Sequence, residues 1–287
     1  MSLRLGRRTF DDNQLLVMAI INRTPDSFYD KGATFADDAA LDAAARALAE
    51  GADVVDIGGV KAGPGATVDA AEEIRRTAPF VAAVRAAHPE AVISVDTWRA
   101  EVAAACLGEG ADVINDAWGG VDPALAEVAA AHDAALVCTD AGGVQPRTRP
   151  HRLGYDDIVA SVIARTTALA ERAVATGVAR DSVLVDPGHD FGKNTWHSLE
   201  VTRRLDELVA AGWPVLVSLS NKDFVGETLD RAVPERLVGT LATTAYCALA
   251  GARVFRAHNV RETRDTLDMI ATIRGDRPPV VTRRGLA

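Results

Sequence analysis

The sequence alternates eight short apolar runs with eight longer helical stretches, and this alternation leaves very few folds open to the chain. Most of the short runs are apolar at every position, which is typical of β-strands that are covered on both faces. The predicted strands are residues 15–22, 53–58, 92–96, 112–116, 134–139, 183–186, 215–220 and 253–258. The predicted helices are residues 37–50, 68–87, 99–109, 123–132, 156–176, 198–211, 234–250 and 261–273.

Strict alternation of strand and helix predicts a parallel sheet with right-handed crossovers, and eight repeats favour closure into a barrel. We therefore predict a single α/β domain over residues 1–287, folded as a (β/α)8 TIM barrel. The alternative is an open doubly wound sheet, which a phosphate-binding G-x-G-x-x-G turn after the first strand would favour. That turn is missing from the sequence after residue 22.

The charge balance and the cysteines exclude several classes of protein. The formal net charge is −9 and no run of Lys or Arg interrupts it, so no nucleic-acid partner is expected. No apolar stretch approaches the roughly 18 residues that a membrane span needs, so no membrane partner is expected. Cys106, Cys138 and Cys247 lack C-x-x-C spacing, and we interpret them as buried thiols rather than zinc ligands. We expect a cytoplasmic protein.

Polar side chains lie near the C-terminal ends of seven of the eight predicted strands. In a TIM barrel the reacting groups occupy these ends and the loops that follow them. Each residue taken alone could simply cap the next helix. As a set, however, they predict a polar site at one rim of the barrel. They are Asn22, Asp56, Asp96, Asn115, Asp116, Asp186, Ser220, Lys222, Arg256 and His258.

The residue types at this rim indicate the class of ligand. Carboxylates and an amide between apolar walls suit an amino-pyrimidinone ring, because a carboxylate accepts paired N–H bonds in a fixed geometry. Arg256 and His258 alternate along a strand, so we expect them to face the same side and to clamp an anion. Lys222 could hold a ring carbonyl. The sequence therefore predicts a flat heterocycle with an anionic tail at the barrel mouth.

The motifs that contain these residues resemble those of dihydropteroate synthase over essentially the whole chain. The first of them reads M-A-I-I-N-R-T-P-D-S-F at residues 18–28, and the sixth reads D-P-G at residues 186–188 followed by F-G-K at 191–193. The others are residues 51–59, 93–97, 113–116, 222–226 and 256–258. Each motif is weak alone, but their order and spacing identify the chain as a member of that family.

The resemblance implies a reaction and a set of pterin-binding residues. In that family, 6-hydroxymethyl-7,8-dihydropterin pyrophosphate is joined to p-aminobenzoate with release of pyrophosphate. By resemblance, Asp96, Asn115, Asp186 and Lys222 bind the pterin ring. The expected partners are therefore small molecules, a pterin and a p-aminobenzoate-like ligand.

The resemblance also implies how the diphosphate is held. By resemblance, Asn22, Arg256 and His258 bind the diphosphate, and Asn22 is also the ligand of a Mg²⁺ cofactor. The implied catalytic residues are these three together with Lys222. The family usually forms homodimers through late helices, which makes the predicted helix 234–250 a candidate interface.

The departures from the family pattern cluster in the loops that cover the substrates. The usual G-G-E-S-T-R-P-G after the second strand reads G-G-V-K-A-G-P-G at residues 58–65, and the usual S-R-K-S after the seventh reads S-N-K-D at 220–223. The usual M-H after the fifth strand reads T-D at 139–140. The altered loop positions are Arg23, Val60, Lys61, Ala62, Gly63, Asn221 and Asp223.

A matched pocket beneath altered loops predicts a dihydropteroate synthase homologue with weak or absent synthase activity. One alternative is an active synthase of folate biosynthesis in which Lys61 and Arg23 replace the lost arginines. Another is a non-catalytic barrel that senses a ligand or binds a protein. A pterin-dependent methyl transferase that serves a corrinoid shares the fold, but nothing in the sequence resembles a corrinoid module.

Overall fold

A computed structural model describes residues 2–23, 37–148 and 154–284. Its strands are β1 (Leu3–Leu5), β2 (Arg8–Phe10), β3 (Leu16–Asn22), β4 (Val54–Gly58), β5 (Val92–Asp96), β6 (Val113–Asp116), β7 (Ala135–Thr139), β8 (Val183–Asp186), β9 (Leu216–Ser218) and β10 (Val254–Ala257). Its α-helices are α1 (Asp37–Ala49), α2 (Ala70–Ala87), α3 (Ala100–Gly108), α4 (Ala124–Ala131), α5 (Ile158–Thr176), α6 (Thr195–Arg203), α7 (Leu205–Ala210), α8 (Asp223–Leu229), α9 (Leu237–Leu249) and α10 (Val260–Arg274).

The eight strands β3 to β10 form one parallel sheet that closes into a barrel. Their order across the sheet is β8-β7-β6-β5-β4-β3-β10-β9. A parallel bridge between Val185 and Val215 joins the two outer strands and closes the ring. The prediction of a TIM barrel is therefore confirmed, and each predicted strand is present, although β9 is shorter than residues 215–220.

Glycines follow several helices at the point where the chain turns back into the barrel. Gly51, Gly110 and Gly251 have φ angles of 100°, 101° and 105°, a left-handed backbone that a side chain would oppose. Among the described helices, none is long and apolar enough to cross a membrane. The three cysteines are free and buried, as their sequence context predicted.

Two parts of the fold differ from the prediction. The single helix expected at residues 198–211 was wrong, because the chain breaks at Arg204 into α6 and α7. The hairpin of β1 and β2 and the helix α8 were not predicted. Each strand of the hairpin has three residues and α8 has seven, so none is long enough to show a clear hydrophobic period.

The N-terminal hairpin closes the end of the barrel at which the strands begin. Leu3, Leu5 and Phe10 are buried and pack with the first residues of the barrel strands, such as Leu16 and Val254. The opposite end of the barrel, where the strands finish, is thereby left for the polar residues.

Candidate functional site

The inner face of the barrel changes from apolar to polar along each strand. Alternate residues of a strand face the same side, so Val92, Ser94 and Asp96 of β5 all point into the barrel. Val92 belongs to the inner apolar cluster at the closed end. The same alternation turns five further residues inward near the strand ends. They are Asn22, Asp56, Asn115, Asp186 and Arg256.

Arg256 lies at the centre of this polar layer. Its Nε donates to Asp56 Oδ2 at 2.6 Å, and one terminal nitrogen donates to Asp96 Oδ2 at 2.8 Å. Asp56 is fully buried and also accepts from Ser94 Oγ at 2.6 Å and from the Asn115 amide at 3.2 Å. Arg256 therefore joins strands β4, β5 and β10, and Asp56 brings β6 into the same network.

Asp186 and Lys222 complete the layer from the β8 and β9 side. Asp186 Oδ1 accepts the Gly188 N–H at 2.7 Å. Lys222 Nζ donates to the His189 carbonyl and lies 4.8 Å from the centre of the Phe191 ring. Burial raises the pKa of Asp186, while the nearby charges of Lys222 and Arg256 oppose that rise. The four residues predicted to bind a pterin ring therefore line one end of one barrel. We name Asp96, Asn115, Asp186 and Lys222 the polar floor.

Burial brings the pKa values of two polar-floor side chains, Asp96 and Lys222, close to neutral pH. Desolvation raises the pKa of Asp96 to about 7, with Arg256 opposing the rise and Asp56 adding to it. Desolvation lowers the pKa of Lys222 to about 8, against the opposing effects of Asp186 and Asp190. Groups with such pKa values can exchange protons with a ligand near neutral pH.

The two other residues expected at the diphosphate lie at the same rim. Asn22 ends β3 and pairs in register with Gly58 of β4. The His258 main-chain N–H donates to Ser220 Oγ at 3.1 Å, and His258 Nδ1 lies 3.0 Å from the same oxygen. Arg256, by contrast, already donates to two carboxylates, so only its remaining N–H donors could contribute to the clamp predicted for Arg256 and His258.

The side chains at the rim limit how Mg²⁺ could be bound. Among the described residues, no group of three or more His, Cys, Asp or Glu side chains is placed to hold a metal ion. The oxygen of Asn22 is a ligand type that Mg²⁺ accepts, and Mg²⁺ commonly keeps several waters and takes its remaining ligands from substrate phosphates. The residues therefore fit an ion that arrives with a diphosphate rather than one held by a protein cage.

Two charged residues at the strand ends point away from the polar floor. Asp116 faces outward, and its carboxylate accepts the N–H groups of Trp118 and Gly120 at 3.0 and 2.6 Å. Arg23 is buried with its guanidinium 4.7 Å from the centre of the Phe80 ring of α2. This position does not favour the alternative in which Arg23 supplies a lost arginine.

The altered residues after β9 also change the rim. Asn221 is buried with a left-handed φ of 56°, and its amide donates to Asn259 at 3.3 Å. Asp223, which starts α8, pairs with Arg236 at 3.0 Å. The position at which the family usually has an arginine therefore holds a short amide that bonds to the neighbouring loop.

A second carboxylate, Asp190, reaches the same place from the loop after β8. Asp190 Oδ2 accepts the N–H of Asp223 at 2.7 Å and that of Phe224 at 3.3 Å, so it caps the first turn of α8. Lys222 lies beside it and opposes the rise in the pKa of Asp190 that burial causes. Two carboxylates, those of Asp186 and Asp190, thus act on the charge of Lys222.

The altered T-D pair after β7 also acquires a buried partner. Lys193 Nζ donates to Asp140 Oδ2 at 3.0 Å and to the Asp140 carbonyl at 2.9 Å, and both side chains are almost completely buried. Asp140 is therefore neutralised within the protein and adds no open charge to the rim.

Sequence reasoning did not single out three residues of this region. Ser94 follows the two-residue spacing that leads to Asp96, and this spacing could have identified it. Asp190 lies in the D-P-G-H-D stretch, and its role as the cap of α8 could not be predicted because α8 itself was not predicted. Arg147 lies in the loop after β7, where no periodicity exists.

Comparison with known proteins identifies the family of this chain. The family model described as "Pterin binding enzyme" matches residues 18–258. A protein of Mycobacterium leprae named inactive dihydropteroate synthase 2 is 61% identical over 290 residues, covering 100% of this chain and 99% of that protein.

Solved structures of dihydropteroate synthases have the same fold. The Yersinia pestis enzyme in a sulfonamide drug complex superposes with a TM-score of 0.90 at 34% identity, covering 96% of this chain and 100% of that one. The Thermus thermophilus enzyme in complex with 4-aminobenzoate superposes with a TM-score of 0.85 at 35% identity, covering 95% and 100%.

Proposed function

Because this chain belongs to the family of pterin binding enzymes and is a homologue of dihydropteroate synthase, we propose that it binds a pterin at the barrel mouth and has little or no synthase activity. One observation carries the proposal: the residues of the polar floor lie together at the barrel mouth, with Asp96 held by Arg256, whereas the loops above them have lost the donors that the family uses. The name of the Mycobacterium leprae relative agrees with this combination.

The polar floor supports recognition of the pterin ring by paired hydrogen bonds. The carboxylate of Asp186 accepts two N–H groups of the aminopyrimidinone edge, and Asp96 and Asn115 bond the other edge. Lys222 donates to the ring carbonyl and offsets the charge of Asp186. Buried, charge-assisted hydrogen bonds are stronger than those in water, so the floor can give both affinity and orientation.

The diphosphate of the ligand is proposed to lie above Asn22 and His258. Asn22 would hold Mg²⁺ together with the diphosphate, and the ion would offset the negative charge of the departing pyrophosphate. His258, held by Ser220, can donate an N–H to a phosphate oxygen. Arg256 lies beside the polar floor and orients Asp56 and Asp96.

The second-substrate side of the rim supports the loss of synthase activity. A p-aminobenzoate-like ligand brings a carboxylate to a place that already holds Asp190 and Asp223. Like charges at a binding site repel each other, and here Lys222 beside Asp190 and the pairing of Asp223 with Arg236 offset part of that repulsion. The first-turn N–H groups of α8, which could receive that carboxylate, are capped by Asp190.

Thermal unfolding tests the pterin part of the proposal. A ligand present at about 100 times its Kd stabilises a folded protein by roughly 2.7 kcal/mol. For a barrel of this size we expect 6-hydroxymethylpterin to raise Tm by about 5 °C or more. The measurement is a melting curve with and without the pterin, with adenine as a flat heterocycle of different hydrogen-bond pattern. An equal shift with both, or no shift, would reject a pterin site.

We also propose that two copies pair through α9 and α10, as a homodimer. The outward face of α9 exposes Val238, Tyr246 and Leu249, with 77%, 48% and 61% of their surface accessible. Met269 and Ile273 of α10, which packs beside α9, are exposed as well. Exposed apolar side chains on two neighbouring helices are the kind of surface that often forms an interface.

Light scattering in solution tests the dimer. The unaltered protein should have twice the mass of one chain, and Val238→Glu should shift it to a single chain at the same concentration, because a buried unpaired carboxylate is costly. Val280→Glu, also at an exposed valine but after α10, is the matched control and should stay dimeric. A monomeric unaltered protein would disprove the dimer.

We further propose that the protein acts in the cytoplasm, where its three free cysteines would stay reduced.

A further inference from the structure

Lys193 is a buried cation whose N–H donors all have acceptors within the protein. Its side chain is 0% exposed, and Nζ donates to Asp140 Oδ2 at 3.0 Å, to the Asp140 carbonyl at 2.9 Å and to the Phe191 carbonyl at 3.1 Å. A lysine ammonium has three donors, so these three acceptors use all of them. Lys193 therefore fixes the main chain of the loop after β8 relative to that of the loop after β7.

The same two loops are joined by main-chain contacts around Asp140. The Asp140 N–H donates to the Asp186 carbonyl at 2.9 Å. Gly188 has a left-handed φ of 65°, and a Cβ on it would lie 2.1 Å from the Asp140 carbonyl oxygen, so only a glycine permits this approach. The segment that carries Asp186 and Phe191 is thus seated directly on Asp140.

Phe191 is the side chain that this arrangement holds beside the polar floor. Its ring centre lies 4.8 Å from Lys222 Nζ and 4.9 Å from the ring centre of Trp118, with the two rings at 86° to each other. Trp118 is 4% exposed, whereas Phe191 is only partly buried. Edge-to-face and cation–aromatic contacts both depend on where the ring is held. Phe191 is therefore fixed on two sides and keeps part of its surface for a ligand.

From these contacts we propose that Asp140 and Lys193 are positioning residues that hold Phe191 as the apolar wall of the pterin site. The proposal rests on the pterin site proposed above and adds the buried pair that sets its wall. Asp140 belongs to the T-D pair that replaces the usual M-H of the family, so the carboxylate that anchors Lys193 is a departure of this chain from the family pattern. A wall that is already in place favours binding, because less conformational freedom is lost when the ligand arrives.

A general structural role for the pair would be independent of the ring at residue 191. If Asp140 and Lys193 only stabilised the fold, their removal would weaken pterin binding by the same factor with or without that ring. If they act through Phe191, the loss disappears once the ring has been removed. A double-mutant cycle separates the two roles.

The experiment is a calorimetric titration with 6-hydroxymethylpterin for four proteins. They are the unaltered protein, a paired variant with Asp140→Asn and Lys193→Met, Phe191→Ala, and the combination of all three changes. The paired variant removes both charges together, because loss of Lys193 alone would deprive a buried carboxylate of its closest cation. Asn at residue 140 still accepts the Gly142 N–H that Asp140 accepts at 2.9 Å.

The paired variant should weaken pterin binding about tenfold when Phe191 is present and less than about twofold in the Phe191→Ala protein. The same kind of change at the closed end of the barrel, Asp133→Asn with Arg4→Met, removes another ion pair and should leave the affinity unchanged. If the paired variant does not melt cooperatively, Asp140→Asn alone takes its place in the cycle. Equal losses with and without the Phe191 ring, or no loss when the ring is present, would overturn the positioning role.

Hydrogen exchange of the unliganded protein keeps this outcome distinct from that of the pterin site. If no pterin bound, the proposed function would fail, yet the main-chain amides of residues 187–193 should still exchange at least about tenfold faster in the paired variant. The amides of β5, which the pair does not contact, serve as the internal reference and should be unaffected. Equal exchange of residues 187–193 in both proteins would overturn the positioning role on its own.

Discussion

Replacing Asp186 with Asn should weaken the binding of 6-hydroxymethylpterin by at least about a hundredfold. The carboxylate of Asp186 is buried beside Lys222 and Arg256, and in the proposed site it accepts the paired N–H donors of the ring. A hydrogen bond to a charged group contributes roughly 1.5–3 kcal/mol, and two of them correspond to a factor of about 100 or more. An Asn at this position would also turn an N–H₂ group toward the N–H donors of the ligand.

The measurement is calorimetric titration of the unaltered protein and of Asp186→Asn, with far-UV circular dichroism to show that both are folded. Asp206→Asn makes the same chemical change on the exposed side of α7 and should bind as the unaltered protein does. A folded Asp186→Asn protein that binds the pterin within about threefold of the unaltered protein would remove Asp186 from the site.

The synthase reaction should run at least two decades below an ordinary enzyme rate when the protein is given both family substrates. Enzymes typically turn over at about 1–1,000 s⁻¹, and the loss of one donor to developing charge costs about two to three decades. Here Ala62 and Gly63 stand where the family has a hydroxyl and a guanidinium, and Asn221 bonds to the next loop instead of covering the ligand. The losses need not add, because such groups act together.

Formation of dihydropteroate from 6-hydroxymethyl-7,8-dihydropterin pyrophosphate and 4-aminobenzoate is the assay, followed with Mg²⁺ present. A dihydropteroate synthase that matches the family loops serves as the positive control in the same buffer. A turnover number near 1 s⁻¹ would show that this chain is an active synthase and would contradict the predicted loss of activity.

The barrel could be predicted because its signal is local and repeated. Apolar runs alternate with helical stretches, and glycines at some helix ends, such as Gly51 and Gly110, mark the return to the sheet. The rim residues could be predicted as well, since strand alternation places Asp96, Asn115 and Asp186 on the inner face. Their identity as a pterin floor came from the resemblance, and periodicity alone gives only a polar rim.

The pairing of charges could not be predicted, because it depends on strands that are far apart in sequence. Arg256 was expected to face an anion, yet Asp56 and Asp96 hold it from β4 and β5. Arg23 looked available as a replacement cation, yet it packs on Phe80 behind the strand ends. The direction of a side chain at the end of a strand depends on the groups that pack against it, such as Phe80 of α2. The sequence alone does not show which groups these are.

The loops above the floor were predicted only as differences from a family pattern. The sequence showed that Gly63 stands in the place of an arginine, but not that Arg147 approaches Gly63 from another loop. It also showed the carboxylate of Asp223, but not that Asp190 caps the helix that begins there. Contacts between loops carry no periodicity, so they become visible only in three dimensions.

The central claim is that the polar floor is kept while the loops above it are altered. Its most direct test is the calorimetric affinity of the unaltered protein for 6-hydroxymethyl-7,8-dihydropterin pyrophosphate, measured with and without Mg²⁺. We expect saturable binding of one ligand per chain, with a Kd of about 10 μM or below, and tighter binding when Mg²⁺ is present. The absence of any binding heat in both conditions, in a protein that melts cooperatively, would contradict the account.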